Sequence, residues 1–113
     1  MQRTTILQLV ELEELASGRR LVMANTHLYF HPNADHIRLV QSIAGLRLAQ
    51  HLASNSKDQG NLDGAALVFC GDFNSCPGSG VFELMTLQRI DEDNEAWSSS
   101  KYFSVFFYFN LPS

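Results

Sequence analysis

The chain has 113 residues, of which 45% are hydrophobic and 18% are charged, and this composition excludes a disordered or low-complexity polymer. Eight Lys and Arg against twelve Asp and Glu give a net charge of −4, which excludes a strongly basic field for non-specific nucleic-acid binding. No apolar run approaches the roughly 20 residues needed to span a bilayer, and we expect no membrane partner.

The N-terminal part of the chain has the pattern of a β-hairpin. Residues 3–12 and 20–27 are two apolar runs, and the first is rich in Thr, Ile, Leu and Val. The polar segment 13–19 between them contains Ser17-Gly18, a turn signal. Two such runs joined by a short polar turn predict two antiparallel strands.

A helix is predicted over residues 36–53, after a loop that is broken by Pro32. Asn33 or Asp35 is the expected N-cap residue. Gly45 in the middle of this helix indicates a close approach to a neighbouring backbone. The apolar residues recur at helical spacing and predict a stripe that lies on a sheet. This stripe comprises Ile37, Val40, Ala44, Leu48 and Leu52, broadened by Leu39 and Ile43.

The second half of the chain begins with a solvated connection over residues 54–64. The continuous apolar run 65–70 predicts a strand that is buried on both faces. A short helix is predicted over 79–88, after a break at Pro77 and Gly78. Residues 102–109 form an aromatic, strand-like run that is prone to aggregate unless it is covered.

Gly71-Asp72-Phe73-Asn74 follows the predicted buried strand. Gly71 lets the backbone turn without a β-carbon clash. In an extended segment Asp72 and Asn74 would point to the same side, so their oxygens could hold a hard divalent cation or a metal-bound water. The alternative is an Asx turn leaving the strand.

His27 ends another predicted strand, within Asn25-Thr26-His27-Leu28. It can act as a general acid or donate a hydrogen bond to phosphate, and the alternative is a satisfied structural histidine. The ends of the two strands could converge on one cleft, with His31 in the loop that rims it. His36 and His51 are weaker candidates. No Cys/His spacing fits a zinc site, and Cys70 and Cys76 are expected to be reduced thiols.

The string NTHLYFHPNADHIRLVQ, followed by ALVFCGDFNSCPGSGVFELM, resembles the endonuclease/exonuclease/phosphatase superfamily. The Tyr-Phe-His-Pro segment is similar to its 2′-phosphodiesterase branch, which degrades 2′,5′-linked oligoadenylate and removes poly(A) tails. The resemblance covers residues 3–97. It implies an α+β fold that is part of a two-sheet β-sandwich flanked by helices.

The resemblance also implies catalytic roles for three side chains. Asp72 would orient and deprotonate the attacking water or bind metal, and Asn74 would contact the scissile phosphate. His27 would stabilise the transition state or protonate the leaving oxygen. The implied cofactor is Mg²⁺, with Mn²⁺ as the alternative, and it would be held by Asp72 and Asn74. Carboxylate and amide oxygens suit such a hard ion.

Four further residues are expected around this site. His31 and Arg38 are candidates for substrate binding, although a solvated arginine at the helix start is the alternative for Arg38. Asn25 and Ser75 are expected to support the site through hydrogen bonds. The implied substrate is RNA or oligoadenylate, the product is nucleoside 5′-monophosphate, and no stable protein partner can be inferred.

The chain also departs from the superfamily pattern. The family carries an upstream metal-binding glutamate, which Glu11, Glu13 and Glu14 lie too close to NTHL to supply, and a terminal Ser-Asp-His motif. We therefore expect residues 1–98 to be the central and C-terminal portion of the domain, and 99–113 a divergent aromatic tail. The isolated chain is expected to be inactive and weakly stable.

Two other functions stay open. The chain could be a non-catalytic truncated product or interaction module, or it could derive from a phosphatase acting on a lipid or small-molecule phosphoester. The expected location is intracellular, mitochondrial or cytoplasmic for the family. Acidic residues interrupt the apolar N-terminal stretch, so no targeting signal is predicted there.

Overall fold

The structure is a computed structural model that describes residues 5–56 and 64–98. It contains three strands and three helices in these ranges. In chain order they are β1 (Leu7–Glu13), β2 (Arg20–His27), α1 (Asp35–Asn55), β3 (Ala66–Asp72), α2 (Gly80–Leu87) and α3 (Glu95–Ser98). The predicted strands and the two longer helices are confirmed, and α3 was not predicted.

The three strands form one mixed sheet in the order β1-β2-β3. β1 and β2 are antiparallel, with Leu7 opposite Thr26, which confirms the predicted hairpin. Its turn is closed by a hydrogen bond of 2.8 Å from the Gly18 N–H to the Glu14 carbonyl. β3 pairs parallel with β2 and ends with Asp72 opposite His27. The parallel pairing therefore brings the two motif-bearing strand ends to the same edge of the sheet.

Helix α1 lies between the sheet and the two short helices, because it contacts β2 and β3 on one side and α2 and α3 on the other. Two small apolar clusters hold these layers together. Val22, Ala53 and Ala65 join the end of α1 to the sheet. The larger cluster, at the start of α1, comprises Leu28, Leu39, Val81, Leu84 and Ala96.

The buried face of α1 differs from the predicted stripe. Ile37, Val40 and Leu48 are only half-buried. The fully buried positions are mostly small, because the helix packs closely on the sheet, and they include Ser42, Gly45, Ala49 and Ala53. A Cβ added at Gly45 would lie 3.2 Å from the Phe69 ring, so the close neighbour is a side chain and not a backbone.

The predicted cap of α1 is wrong. The N-cap residue is Ala34, which makes no side-chain capping bond. Asp35 is the first helical residue, and its carboxylate accepts a hydrogen bond from the Arg38 guanidinium. The negative charge still lies in the first turn, where it interacts favourably with the helix dipole.

The prediction that the third strand is buried on both faces is also wrong. Val68 in β3 is 42% exposed, and Val10 and Leu12 in β1 are exposed as well. The reason is that α1 covers only one face of the sheet. The α+β class is confirmed. The two-sheet sandwich stays a prediction, since the strands found within residues 5–56 and 64–98 belong to a single sheet.

The predicted aromatic tail, 99–113, lies outside the described residues, as does most of the predicted solvated connection. Within the described ranges, no helix combines the length and apolar character needed to cross a bilayer.

Candidate functional site

His27 and Asp72, which we call the strand-end pair, lie side by side where β2 and β3 end. The His27 Nε2 atom is 3.5 Å from the Asp72 Oδ2 atom, and the side chains are 71% and 64% exposed. Thr26 is buried on the α1 side, so His27 projects from the open face. The pair therefore presents a nitrogen donor and a carboxylate oxygen to solvent and to any ligand at this edge.

Gly71 allows the two strand ends to approach each other. It pairs with Thr26 in the parallel ladder and has a φ of +136°. A Cβ at this position would lie 1.9 Å from the Thr26 carbonyl oxygen. The expectation that glycine relieves a clash here is confirmed, and the clashing group is the neighbouring strand.

Asn74 does not continue the strand, so the prediction that it shares a side with Asp72 in an extended segment is wrong. Its φ is +45°, in the left-handed region. Its backbone N–H donates to Asp72 Oδ1 at 2.9 Å, which is the Asx turn of the alternative interpretation. Its Nδ2 donates to the Leu28 carbonyl at 2.7 Å, and the amide oxygen is left as the atom that can face a ligand.

Leu28 joins the two loops at this edge. Its N–H donates to the Asp72 carbonyl at 2.9 Å, and its own carbonyl accepts from Asn74. Sequence reasoning missed this role, because backbone bonding between loops leaves no pattern in the side chains. The two bonds hold the ends of β2 and β3 together beyond the last ladder position.

Arg38 has a structural role that both predictions for it missed. Its side chain is only 3% exposed, so it is not a solvated arginine at the helix start. Its Nη1 donates to the Tyr29 carbonyl at 3.0 Å and also to the His31 carbonyl, and its Nη2 contacts Asp35. We call this group the buried arginine cluster. With these partners the guanidinium is not placed to bind a substrate phosphate.

The loop after β2 is also held by Gln41, which sequence reasoning did not single out. Its Oε1 accepts from the Tyr29 N–H at 3.1 Å. His31 lies half-buried in this loop, where its Nδ1 accepts from the Asn33 N–H at 3.2 Å. Its ring stacks with that of Tyr29, with centroids 6.3 Å apart. Substrate binding by His31 stays a prediction.

The two predicted supporting residues bond elsewhere. Asn25 Nδ2 donates to Gln8 Oε1 on β1 at 3.3 Å. Ser75 Oγ donates to the Phe73 carbonyl at 2.7 Å, within its own turn. Neither of these bonds reaches the strand-end pair, and the support of the site by Asn25 and Ser75 stays a prediction.

His36 and Glu11 have pKa values that are lowered by their surroundings. Burial lowers the pKa of His36, and the positive charge of Arg38 lowers it further while Asp35 partly offsets this. A hydrogen bond from the Ser56 hydroxyl is the main cause that lowers the pKa of Glu11. These shifts therefore report structural contacts and do not mark a second catalytic centre.

A magnesium ion would find a partial site at Asp72. Mg²⁺ in proteins often keeps several waters and binds one or two carboxylates together with substrate phosphates. Asp72 Oδ2 and the Asn74 amide oxygen suit such an ion. Among the residues that the structure describes, no group of three or more His, Cys, Asp or Glu could hold a metal. These residues therefore fit an ion that is also bound by water and substrate oxygens, and they do not form a complete set of protein ligands.

Comparison with known proteins gives relatives that match most of this chain. The human protein 2′,5′-phosphodiesterase 12 is 37% identical over 101 residues, which cover 88% of this chain, and the rat protein of the same name is 36% identical. The CCR4-Not complex 3′-5′-exoribonuclease subunit Ccr4 of Yarrowia lipolytica is 30% identical over 102 residues, covering 76% of this chain and 14% of the relative. No family profile matches. The chain spans only 16% of the length of the two phosphodiesterases.

Proposed function

Because this chain is part of a nuclease and phosphodiesterase domain of the endonuclease/exonuclease/phosphatase superfamily, we propose that it contributes to the hydrolysis of oligoadenylate. The linkages would be 2′,5′ bonds or those of poly(A). Water would attack the phosphorus, the bond to the ribose 2′- or 3′-oxygen would break, and nucleoside 5′-monophosphate would be released. The names of the relatives support the class of reaction.

The observation that carries the proposal is the strand-end pair. His27 Nε2 and Asp72 Oδ2 are 3.5 Å apart and open to solvent. Phosphodiester hydrolysis needs an oriented water and a proton for the leaving oxygen. Asp72 would accept a hydrogen bond from the water and orient it, while His27 would donate to the phosphate or, as general acid, to the leaving oxygen. The parallel ladder places the two residues opposite each other, and the Asn74 N–H bond to Asp72 Oδ1 orients the carboxylate.

The proposed cofactor is Mg²⁺, held by Asp72 Oδ2 and the Asn74 amide oxygen. It would neutralise charge on the non-bridging phosphate oxygens. Asn74 would keep its Nδ2 bond to the Leu28 carbonyl, so its amide oxygen would be fixed in direction. Asp72 would likewise keep its bond to the Asn74 N–H.

The second candidate function is a non-catalytic chain, which is favoured by one observation. Within the described ranges the metal-binding groups do not form a cluster of three. Catalytic groups that act as a unit leave little activity behind when one is missing. We therefore propose that the chain alone binds its ligand without measurable turnover.

The experiment measures binding and turnover by the full chain in the presence of Mg²⁺. Oligoadenylates with 2′,5′ and with 3′,5′ linkages are titrated, and NMR follows the His27 ring and the amides of 71–74. Asp72→Asn keeps an oxygen for the Asx turn, and it should weaken binding by about tenfold or more, as should His27→Gln. The matched controls are Asp91→Asn and His51→Gln, which change exposed residues elsewhere.

The outcomes separate the two candidates. Ligand shifts at the strand-end pair without release of 5′-monophosphate would support the site and the second candidate, whereas release of 5′-monophosphate would support the first. Release that is sensitive to a chelator would remove only the statement that the chain alone is inactive. Equal affinity in Asp72→Asn and the wild type would contradict the proposed site.

A further inference from the structure

The peptide unit that joins Leu28 to Tyr29, which we call the 28–29 peptide unit, is hydrogen-bonded on both of its sides. Its carbonyl, from Leu28, accepts from Asn74 Nδ2 at 2.7 Å. Its N–H, from Tyr29, donates to Gln41 Oε1 at 3.1 Å. The N–H and the carbonyl of a trans peptide unit point in opposite directions, so this unit lies between Gln41 of α1 and Asn74 of the candidate site.

The chemistry of the partners fixes the direction of each bond. A backbone carbonyl only accepts, so Asn74 turns its Nδ2 towards Leu28 and its amide oxygen away from it. A backbone N–H only donates, so Gln41 turns its oxygen towards Tyr29. The Gln41 Nε2 atom donates to the Thr5 hydroxyl at 2.8 Å, which holds the glutamine side chain in place. The orientation of the Asn74 amide therefore depends on the orientation of the 28–29 peptide unit.

The backbone on either side of this unit is held by other groups. The Leu28 N–H donates to the Asp72 carbonyl at 2.9 Å, and the Tyr29 carbonyl accepts from Arg38 Nη1 at 3.0 Å. Both of these groups belong to the neighbouring peptide units. They restrain the path of the loop, but they do not bond the N–H or the carbonyl of the 28–29 peptide unit itself.

A turned-over 28–29 peptide unit would reverse the polarity of Asn74. The unit would then present its N–H to Asn74, and the asparagine would have to offer its oxygen to that N–H and its Nδ2 to the ligand. The bond to Gln41 opposes this rotation, because the Tyr29 N–H would lose its acceptor. The same bond polarises the peptide unit and strengthens its carbonyl as the acceptor for Asn74.

We propose that Gln41 is a positioning residue that keeps the Asn74 amide oxygen turned towards the ligand, acting through the 28–29 peptide unit. The inference rests on the proposed function, in which that oxygen binds Mg²⁺. A hard cation is bound by oxygen, whereas an amide NH₂ group in the same place has only donors to offer. Gln41 thereby sets the preference of the site for a divalent cation.

The test compares Gln41→Leu, which removes the acceptor, with Gln41→Glu, which keeps an oxygen for the Tyr29 N–H and can accept from the Thr5 hydroxyl. The full chain is first studied without metal, and NMR records the side-chain amide resonances of Asn74. Gln41→Leu should shift them towards the values of a free asparagine amide, and Gln41→Glu should leave them close to the wild type. Gln50→Leu, at an exposed position of α1, is the matched control.

The same variants are then titrated with Mg²⁺ alone, and NMR follows the resonances of Asp72 and Asn74. Gln41→Leu should weaken Mg²⁺ binding about fivefold, as expected for the loss of one hydrogen bond. Gln41→Glu should bind Mg²⁺ at least as tightly as the wild type, because it keeps the contact and adds a negative charge. Gln50→Leu should leave the Mg²⁺ affinity unchanged.

The two measurements separate the inference from the proposed function. If Gln41→Leu lowers stability but leaves the Asn74 resonances in place, or if Gln50→Leu moves them as much, Gln41 is merely structural and the positioning role is wrong. A loss of Mg²⁺ affinity in Gln41→Glu as large as in Gln41→Leu would also overturn it. If Asn74 responds to Gln41→Leu as expected but Mg²⁺ shifts no resonance of the wild-type site, the control of the amide by Gln41 stands and the proposed metal site fails.

Discussion

The strand-end pair and the buried arginine cluster each place a carboxylate beside a nitrogen base near the end of β2, yet they differ in exposure. His27 and Asp72 are 71% and 64% exposed at a separation of 3.5 Å. The Arg38 side chain is 3% exposed and bonds two backbone carbonyls besides Asp35. Exposed ion pairs add little stability, whereas removing one partner of a buried group is expensive. Burial, more than residue type, separates the solvent-facing pair from the structural arginine.

The largest effect is expected from Arg38→Met, which removes the guanidinium from the buried arginine cluster. The change leaves the Tyr29 and His31 carbonyls without their donor, and it should lower the free energy of unfolding by about 3 kcal/mol. Urea denaturation of the full chain measures this. Arg47→Met, at an exposed position of the same helix, is the control and should change stability by less than about 0.5 kcal/mol. Equal effects of the two changes would contradict the structural role of Arg38.

An intermediate effect is expected at Asn74, a residue of the candidate site whose side chain also donates a hydrogen bond to the Leu28 carbonyl. Asn74→Ala removes the donor to the Leu28 carbonyl and places alanine at a φ of +45°, so stability should fall by about 2 kcal/mol. Asn74→Gly loses the same bond without the backbone strain and should cost about 1 kcal/mol. The difference between the variants, measured by urea denaturation, isolates the strain. Identical stabilities would show that the left-handed conformation is not populated.

The smallest effect is a pH dependence from His36, beside the buried arginine cluster. Its pKa is lowered below the ordinary value of 6.5, chiefly by burial, so the unfolded chain binds the proton more readily. The contribution to stability is therefore complete above pH 6.5 and is lost as the pH falls from there through the lowered pKa. Urea denaturation at about pH 7.5 and about pH 5.5 measures the change.

His36→Gln should make stability less dependent on pH across this interval. Glu11 provides an internal reference, since its pKa is lowered from 4.5 and its contribution is lost only in more acidic solution. A wild-type stability that rises on acidification from neutral pH, and does so through His36, would contradict the assignment.

Local patterns in the sequence predicted most of the secondary structure. Residues 20–27 were predicted as a strand and form β2 with the same bounds, and the predicted helix 36–53 falls within α1. The proximity of His27 and Asp72 followed from placing each at the end of a strand. These features depend on alternation, helical spacing and turn residues, all of which are local.

The features that were missed depend on packing between distant segments. The close approach at Gly45 was predicted, but the small residues Ser42 and Ala49 were not expected to be buried, because a hydrophobic pattern gives no weight to small side chains. Arg38 was expected in solvent or on a phosphate, because the carbonyls that bury it come from a loop with no regular pattern. The Asx turn at Asn74 was among the sequence-based interpretations, but the bond from its side chain to the Leu28 carbonyl was missed, since Leu28 lies in the loop after β2.

The parallel pairing of β2 with β3 also makes the molecule a convenient scaffold for protein engineering. Residues 27 and 72 are held opposite each other by strands that lie about 4.8 Å apart, independently of the lengths of the connecting loops. Replacing Asp72 with histidine would create a two-imidazole chelate across the sheet. Nickel bound there would fix the register of β2 against β3. The nickel affinity, measured in solution, would show whether the two strands remain aligned.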